Sequence, residues 1–127
     1  MPMQLSHLWL GFFATEAALE TYFEEKYPDD RDDNTPLNRF AQDQGETFYD
    51  HDWVEYSFDS SGDLRKLIQG HSYSQDYLNQ VIALAQARGL TGANTFIMAD
   101  QAEFTQPKSI EGEGYRLWYL GLFRCNI

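Results

Sequence analysis

Two stretches of the chain are apolar at consecutive positions rather than at alternate ones. They are LWLGFF at 8–13 and LWYLGLF at 117–123. Read as strands, the first points Leu8, Leu10 and Phe12 to one side and Trp9 and Phe13 to the other. The second opposes Leu117, Tyr119 and Phe123 to Trp118, Leu120 and Leu122. A strand apolar on both faces belongs in the middle of a sheet that is covered on both sides. The echo between the two stretches suggests neighbouring strands, which would bring the ends of the chain together. Gly11 and Gly121 mark places of close packing or a bulge.

Between these stretches the pattern changes to helical spacing. Residues 15–27 read as a helix capped by Thr15, with Leu19, Tyr22 and Phe23 inward and Pro28 as its stop. PDDRDDNTP is a solvated acidic loop. Residues 36–45 form a short helix with Pro36 near its start and Gly45 at its end. In WVEYSF at 53–58, Val54, Tyr56 and Phe58 alternate with Trp53, Glu55 and Ser57, which reads as a half-exposed strand. A short helix follows, with Leu64, Leu67 and Ile68 inward. The longest helix then starts with Ser74 as its cap, carries Tyr77, Leu78, Val81, Ile82 and Ala85 inward, and closes at Arg88 and Gly89. NTFIMAD at 94–100 is a further strand, and the polar segment 101–113 is a hairpin loop into the last one. The predicted order is β-α-α-β-α-α-β-β. That is an α+β domain with a mostly antiparallel sheet of about four strands and helices packed on it. At 127 residues the chain forms a single domain, 1–127, large enough to bury a core.

Charge adds a second layer. The net charge is −11, and residues 16–63 hold fifteen acids against three bases, a net of −12. One contiguous stretch therefore carries the whole imbalance. An acidic surface serves solubility, and it also steers a basic partner and rejects wrong ones. It disfavours direct binding to nucleic acid, whose phosphates it repels. The aromatic share of 16% argues against disorder. A lone Cys125 cannot form an internal disulfide and lies where nothing activates it. No apolar run reaches membrane-spanning length, and MPMQLSHLWLGFF lacks the basic start of a signal peptide. The expected location is the cytoplasm.

The candidate chemistry is thin. Asp50, His51 and Asp52 are metal-ligand types, but consecutive residues on a strand diverge, and only a tight turn would make them converge. No HExxH, HxH or paired-cysteine motif occurs, so no metal and no cofactor is expected. His71 stands beside Ser72 and Ser74 without a G-x-S-x-G elbow. The simpler reading makes His71 a loop residue that bonds to backbone. Glu24 and Glu25, like Asp29, Asp30, Asp32 and Asp33, read as solvated surface. Trp53, beside Asp52 and Glu55, has the composition of an interface anchor with a charged rim, or else is covered by another element.

Taken in succession, LWLGFF, ALETYFEEKYPDDRDD, YDHDWVEYSF, GHSYS before a helix and YRLWYLGLF resemble the immunity protein 22 family over essentially the whole chain. The resemblance implies a cytoplasmic antidote of a bacterial polymorphic toxin system, made beside its toxin and binding the toxin domain; the acidic segment and the lack of a catalytic motif suggest inhibition without turnover. It supplies no catalytic residue. The segments that match are Tyr49, Asp50, His51 and Asp52, and Gly70, His71, Ser72, Tyr73 and Ser74. The toxin-binding candidates are then Asp29, Asp30, Asp32, Asp33, Glu46, Tyr49, Asp50, His51, Asp52, Trp53, Glu55, His71 and Tyr73. The expected partner is a cognate toxin with a basic active-site surface, such as a nuclease. The alternatives are a small enzyme using His51 or His71 with carboxylates, and an acidic mimic of nucleic acid.

Overall fold

The computed structural model describes residues 3–25 and 35–126. Its centre is β1 (Met3–Phe13), which is buried on both sides. Leu8 and Leu10 point to one layer, Trp9 and Phe13 to the other. β1 pairs antiparallel with β3 (Thr95–Asp100) and with β5 (Tyr115–Asn126), so the two sequence echoes are indeed neighbours. β2 (Val54–Phe58) lies on the far side of β3, and β4 (Ile110–Gly112) on the far side of β5. Among the described residues the sheet therefore has five strands in the order β2-β3-β1-β5-β4, all antiparallel.

The fifth strand corrects the sequence reading of about four. β4 is only three residues long and lies inside the polar segment read as loop. Nothing in IEG alternates. It becomes a strand because Gly114, at φ +80, turns the chain back along β5.

Helices cover both faces. α1 (Glu16–Tyr22) and α2 (Arg39–Asp43) pack on the Trp9 side, where Leu19, Tyr22, Phe23, Leu37, Phe40, Ile97 and Leu117 are buried. Thr15 caps α1 by accepting from the Ala18 N–H at 3.0 Å. Asn38 caps α2 and also donates to the Tyr49 hydroxyl and the Phe23 carbonyl, joining three segments. Trp9 sits edge-on to Phe40 and Phe104, with ring centroids at 5.2 and 5.7 Å. On the other face α3 (Leu64–Ile68) and α4 (Ser74–Arg88) bury Leu67, Ile68, Tyr77, Val81 and Ala85 against Leu8, Leu10, Phe96 and Met98. α1 ends at Tyr22, earlier than the pattern over 15–27 suggested. No helix among the described residues is long and apolar enough to cross a membrane.

Two local corrections have physical causes. Ser74 does not cap α4. The cap position falls on Tyr73 at φ +59 with no side-chain bond, and the Ser74 hydroxyl donates to the Gln69 carbonyl at 2.9 Å. The strict alternation read along β5 also fails beyond Leu120. Leu8 pairs with Gly121 and Trp9 with Tyr119, which leaves one extra residue on β5. This bulge, with Gly121 at φ +117, reverses the sides of the following residues. Phe123 thus joins Leu120 and Trp118 in the α4 layer, and Leu122 is left exposed.

Gly11 is needed for close approach. A Cβ there would lie 2.7 Å from Leu117 Cδ2 and 2.9 Å from the Arg116 carbonyl oxygen. Backbone cannot yield as a flexible side-chain tip can, so Gly11→Ala should cost about 1–3 kcal/mol of stability. Urea unfolding measures this, and an unchanged midpoint would show that β1 and β5 separate freely at this point.

Candidate functional site

The stretch YDHDW makes a tight turn. Asp50 opens a 3-10 turn over His51–Trp53, and its carboxylate accepts the Asp52 N–H at 2.9 Å. Its own N–H donates to Glu103 at 2.7 Å, which ties the turn to the segment after β3. His51 is not left facing away from the acids, as a strand would have it. Nδ1 lies 3.1 Å from Glu25, and Nε2 lies 3.3 Å from Asp52. The hydrogen bond and charge of Glu25 raise its pKa above 6.5, with Asp52 and Asp50 adding to the effect. Among the described residues no three His, Cys, Asp or Glu side chains are grouped to hold a metal ion.

His71 is bound differently. Its side chain is only 7% exposed and packs edge-on to Phe96. Nδ1 meets Glu55 at 3.0 Å, and Nε2 meets the Ser57 hydroxyl at 2.7 Å. Glu55 also accepts from the Ser72 N–H and the Ser72 hydroxyl. Ser57 in turn reaches the Leu67 carbonyl at 2.9 Å. The cluster clasps β2 to the α3–α4 turn. A carboxylate only accepts, so Nδ1 carries a proton. Ser57 has one proton for both Nε2 and the Leu67 carbonyl, so both contacts are satisfied at once only when the imidazole is doubly protonated. Burial opposes that state and lowers the His71 pKa, against a partial upward pull from Glu55. Burial also pushes the Glu55 carboxyl up, but its hydrogen bonds from Ser72 and His71 outweigh this and leave it below the usual value.

The clasp brings the two sequence segments onto one face. Asp52 and Trp53 from the 3-10 turn, Glu55 from β2, and Ser72 and Tyr73 from the α3–α4 turn line a cavity of about 190 Å³. Trp53 is 54% exposed and Tyr73 is also exposed. Other candidates stand elsewhere. Tyr49 is buried in the aromatic core against Phe40 and Phe104, so its side chain serves the fold. Glu46 accepts from the Thr105 N–H and hydroxyl and ties the end of α2 to the loop before β4. Asp29, Asp30, Asp32 and Asp33 lie outside the described residues.

Three participants escaped the sequence reading. Glu25 and Ser57 hold the two histidines, and Tyr56, which alternation places on the same side as Val54 and Phe58, is exposed and stacked on Phe23 at 4.0 Å. A roomier cavity, about 620 Å³, lies apart, beside α1, α2 and the β4–β5 turn. There the Tyr22 and Tyr115 hydroxyls both donate to Asp43. Cys125 is buried, and burial raises its thiol pKa.

A family model described as Immunity protein 22 matches residues 6–125, a span that includes every strand and helix described above. The chain belongs to the Immunity protein 22 family. Membership in this immunity-protein family points to toxin neutralisation by binding a cognate toxin, in a family that is generally non-enzymatic. Neither a curated protein nor a solved structure matches the chain.

The two histidines should titrate in opposite directions from 6.5. His71 binds its proton less readily in the folded chain than in the unfolded one. It therefore subtracts stability as pH falls through 6.5 toward its folded value. His51 favours the folded state below 6.5, and that contribution fades as pH rises through its raised pKa. NMR titration of the imidazole protons reads both, and a higher midpoint for His71 than for His51 would refute the assignment.

Proposed function

We propose that this family member neutralises its toxin by seating the face around Trp53 on a basic surface of the toxin domain. The observation that carries the reading is the convergence of Asp52, Trp53, Glu55 and Tyr73, from two separate segments, around one small open cavity. Trp53 supplies a large, half-exposed apolar anchor. Asp50 and Asp52 surround it with negative charge that is not spent on lysine or arginine partners among the described residues. An acidic rim accelerates encounter with a basic surface, and the central aromatic then limits dissociation. A nuclease active site, basic because it holds phosphates, fits this chemistry. The action is steric and electrostatic, in the cytoplasm beside the toxin, with no cofactor, metal, membrane or nucleic acid required.

Trp53→Ala should weaken toxin binding by at least about 2 kcal/mol, read by calorimetry. Reversing Asp50 and Asp52 to lysine, or Asp29, Asp30, Asp32 and Asp33 together, should lower the association rate and its salt dependence. Unchanged binding in all of these variants would place the contact elsewhere.

A hydrolytic reading has one observation behind it. Glu55, His71 and Ser57 stand in the order of a carboxylate–histidine–serine relay. The Ser57 proton is shared with the Leu67 carbonyl and Glu55 is engaged by Ser72, so the arrangement fits a structural clasp better. A fluorophosphonate probe distinguishes the two: covalent labelling of Ser57 supports the relay, and no labelling supports the clasp. Ser57→Ala should then destabilise the fold by about 1–2 kcal/mol in thermal unfolding.

A further inference from the structure

β2 is an edge strand whose outer side no described residue pairs. The phase of its ladder follows from two observations. Phe58 stands opposite Thr95, and the Asp59 N–H bonds the Asn94 carbonyl at 2.8 Å. In an antiparallel pair this turns the backbone groups of residues 55, 57 and 59 toward β3 and those of 54, 56 and 58 away from it. The Val54 N–H is used by the 3-10 turn, where it bonds His51. The Val54 carbonyl and both backbone groups of Tyr56 and Phe58 remain directed outward.

Alongside this edge runs a groove of about 550 Å³, open to solvent. Tyr56 and Ser57 line it on the strand side, and Lys66, Leu67, Gly70 and His71 on the α3 side. Devices that normally guard a sheet edge are missing from the strand itself. VEYSF holds neither lysine nor proline, and its only charge, Glu55, is drawn into the clasp with His71 and Ser72. The opposite edge, β4, is only three residues long. Acids surround the β2 edge. Residues 50–59 contain Asp50, Asp52, Glu55 and Asp59 and no lysine or arginine. The Tyr56 hydroxyl is pushed above its usual pKa by partial burial and then by the charges of Glu20 and Glu25, which places both carboxylates within electrostatic reach.

We infer that the toxin docks by adding an extended, basic segment to the outer edge of β2. This rests on the toxin-binding reading above and specifies its mode. Main-chain hydrogen bonds to Tyr56 and Phe58 supply a repeating contact. Lysine or arginine on one side of the added strand would meet the acids, and its other side would enter the groove toward Leu67, where Lys66 suits a carboxylate or carbonyl. The clasp keeps the α3–α4 turn at the distance that holds the groove open.

The test uses the full chain and the toxin domain encoded beside it, inactivated by substitution. Tyr56→Pro deletes an outward N–H without removing a bond to β3, and Tyr56→Ala controls for the lost ring. The proline variant should bind about tenfold more weakly than the alanine variant. In the wild-type complex, hydrogen exchange at the Tyr56 and Phe58 amides should slow by about tenfold or more. Equal affinities for the two variants, with unchanged exchange, would overturn strand addition. If the proline variant unfolds, the exchange measurement decides alone. Binding that Trp53→Ala weakens while the edge amides exchange as before would leave the toxin-binding reading standing and remove this mode. Absence of any binding would remove both.

Discussion

The fold depends on burying β1 on both faces at once. A strand with Leu8 and Leu10 on one side and Trp9 and Phe13 on the other has no solvent-tolerant face. It requires a layer of helices above and another below, and strands on both edges. The chain meets that need by dividing its helices. α1 and α2 cover the Trp9 side, while α3 and α4 cover the Leu8 side. β2 is therefore reached by a crossover that passes one layer of the sheet and is left by a crossover that passes the other. That path puts β2 at the edge, beyond β3, with its two ends attached to different helical layers.

This position gives β2 its role. Its inward residues Val54 and Phe58 pack against the aromatic core, and its opposite face is held by the partly buried Glu55–His71–Ser57 cluster. The hydrogen bonds of the clasp join residues far apart in sequence, and they make the α3–α4 turn and the 3-10 turn parts of one surface. The cost is a histidine whose hydrogen-bonding needs favour a charge that its burial resists. His51, by contrast, is exposed, and the hydrogen bond and charge of Glu25 stabilise its charged form more than desolvation opposes it, with Asp52 adding a smaller part. The two histidines thus behave oppositely because one is inside the clasp and the other on the rim.

Much of the architecture was legible in the sequence. Two-sided apolar strands, the Thr15 cap, the glycine at the end of α4, the inward stripe of α3 and that of α4 apart from Ile82 all follow from local spacing. The errors fall where a long-range contact overrode a local rule. β4 has no pattern of its own and exists because β5 recruits it. Ser74 looked like a cap but donates back to Gln69, because the turn holding His71 places Tyr73 at the helix entry. Alternation along β5 broke at a bulge whose only sequence sign was Gly121.

Composition, the succession of motifs that resembles the Immunity protein 22 family and the concentration of acid in 16–63 are set by the sequence alone, and they point to an acidic binding protein. Which acids act together was decided only by the tertiary structure. The period-2 and period-3.6 rules say which way a residue points within its own element, and they carry no information about what stands opposite. Glu25 meets His51 across 26 positions, Glu55 meets His71 across 16, and Tyr49, two residues from His51, turns into the core. The edge of β2 that no described residue pairs is of the same kind. An edge strand differs from a central one by its missing neighbour, and strand order is a property of the assembled sheet.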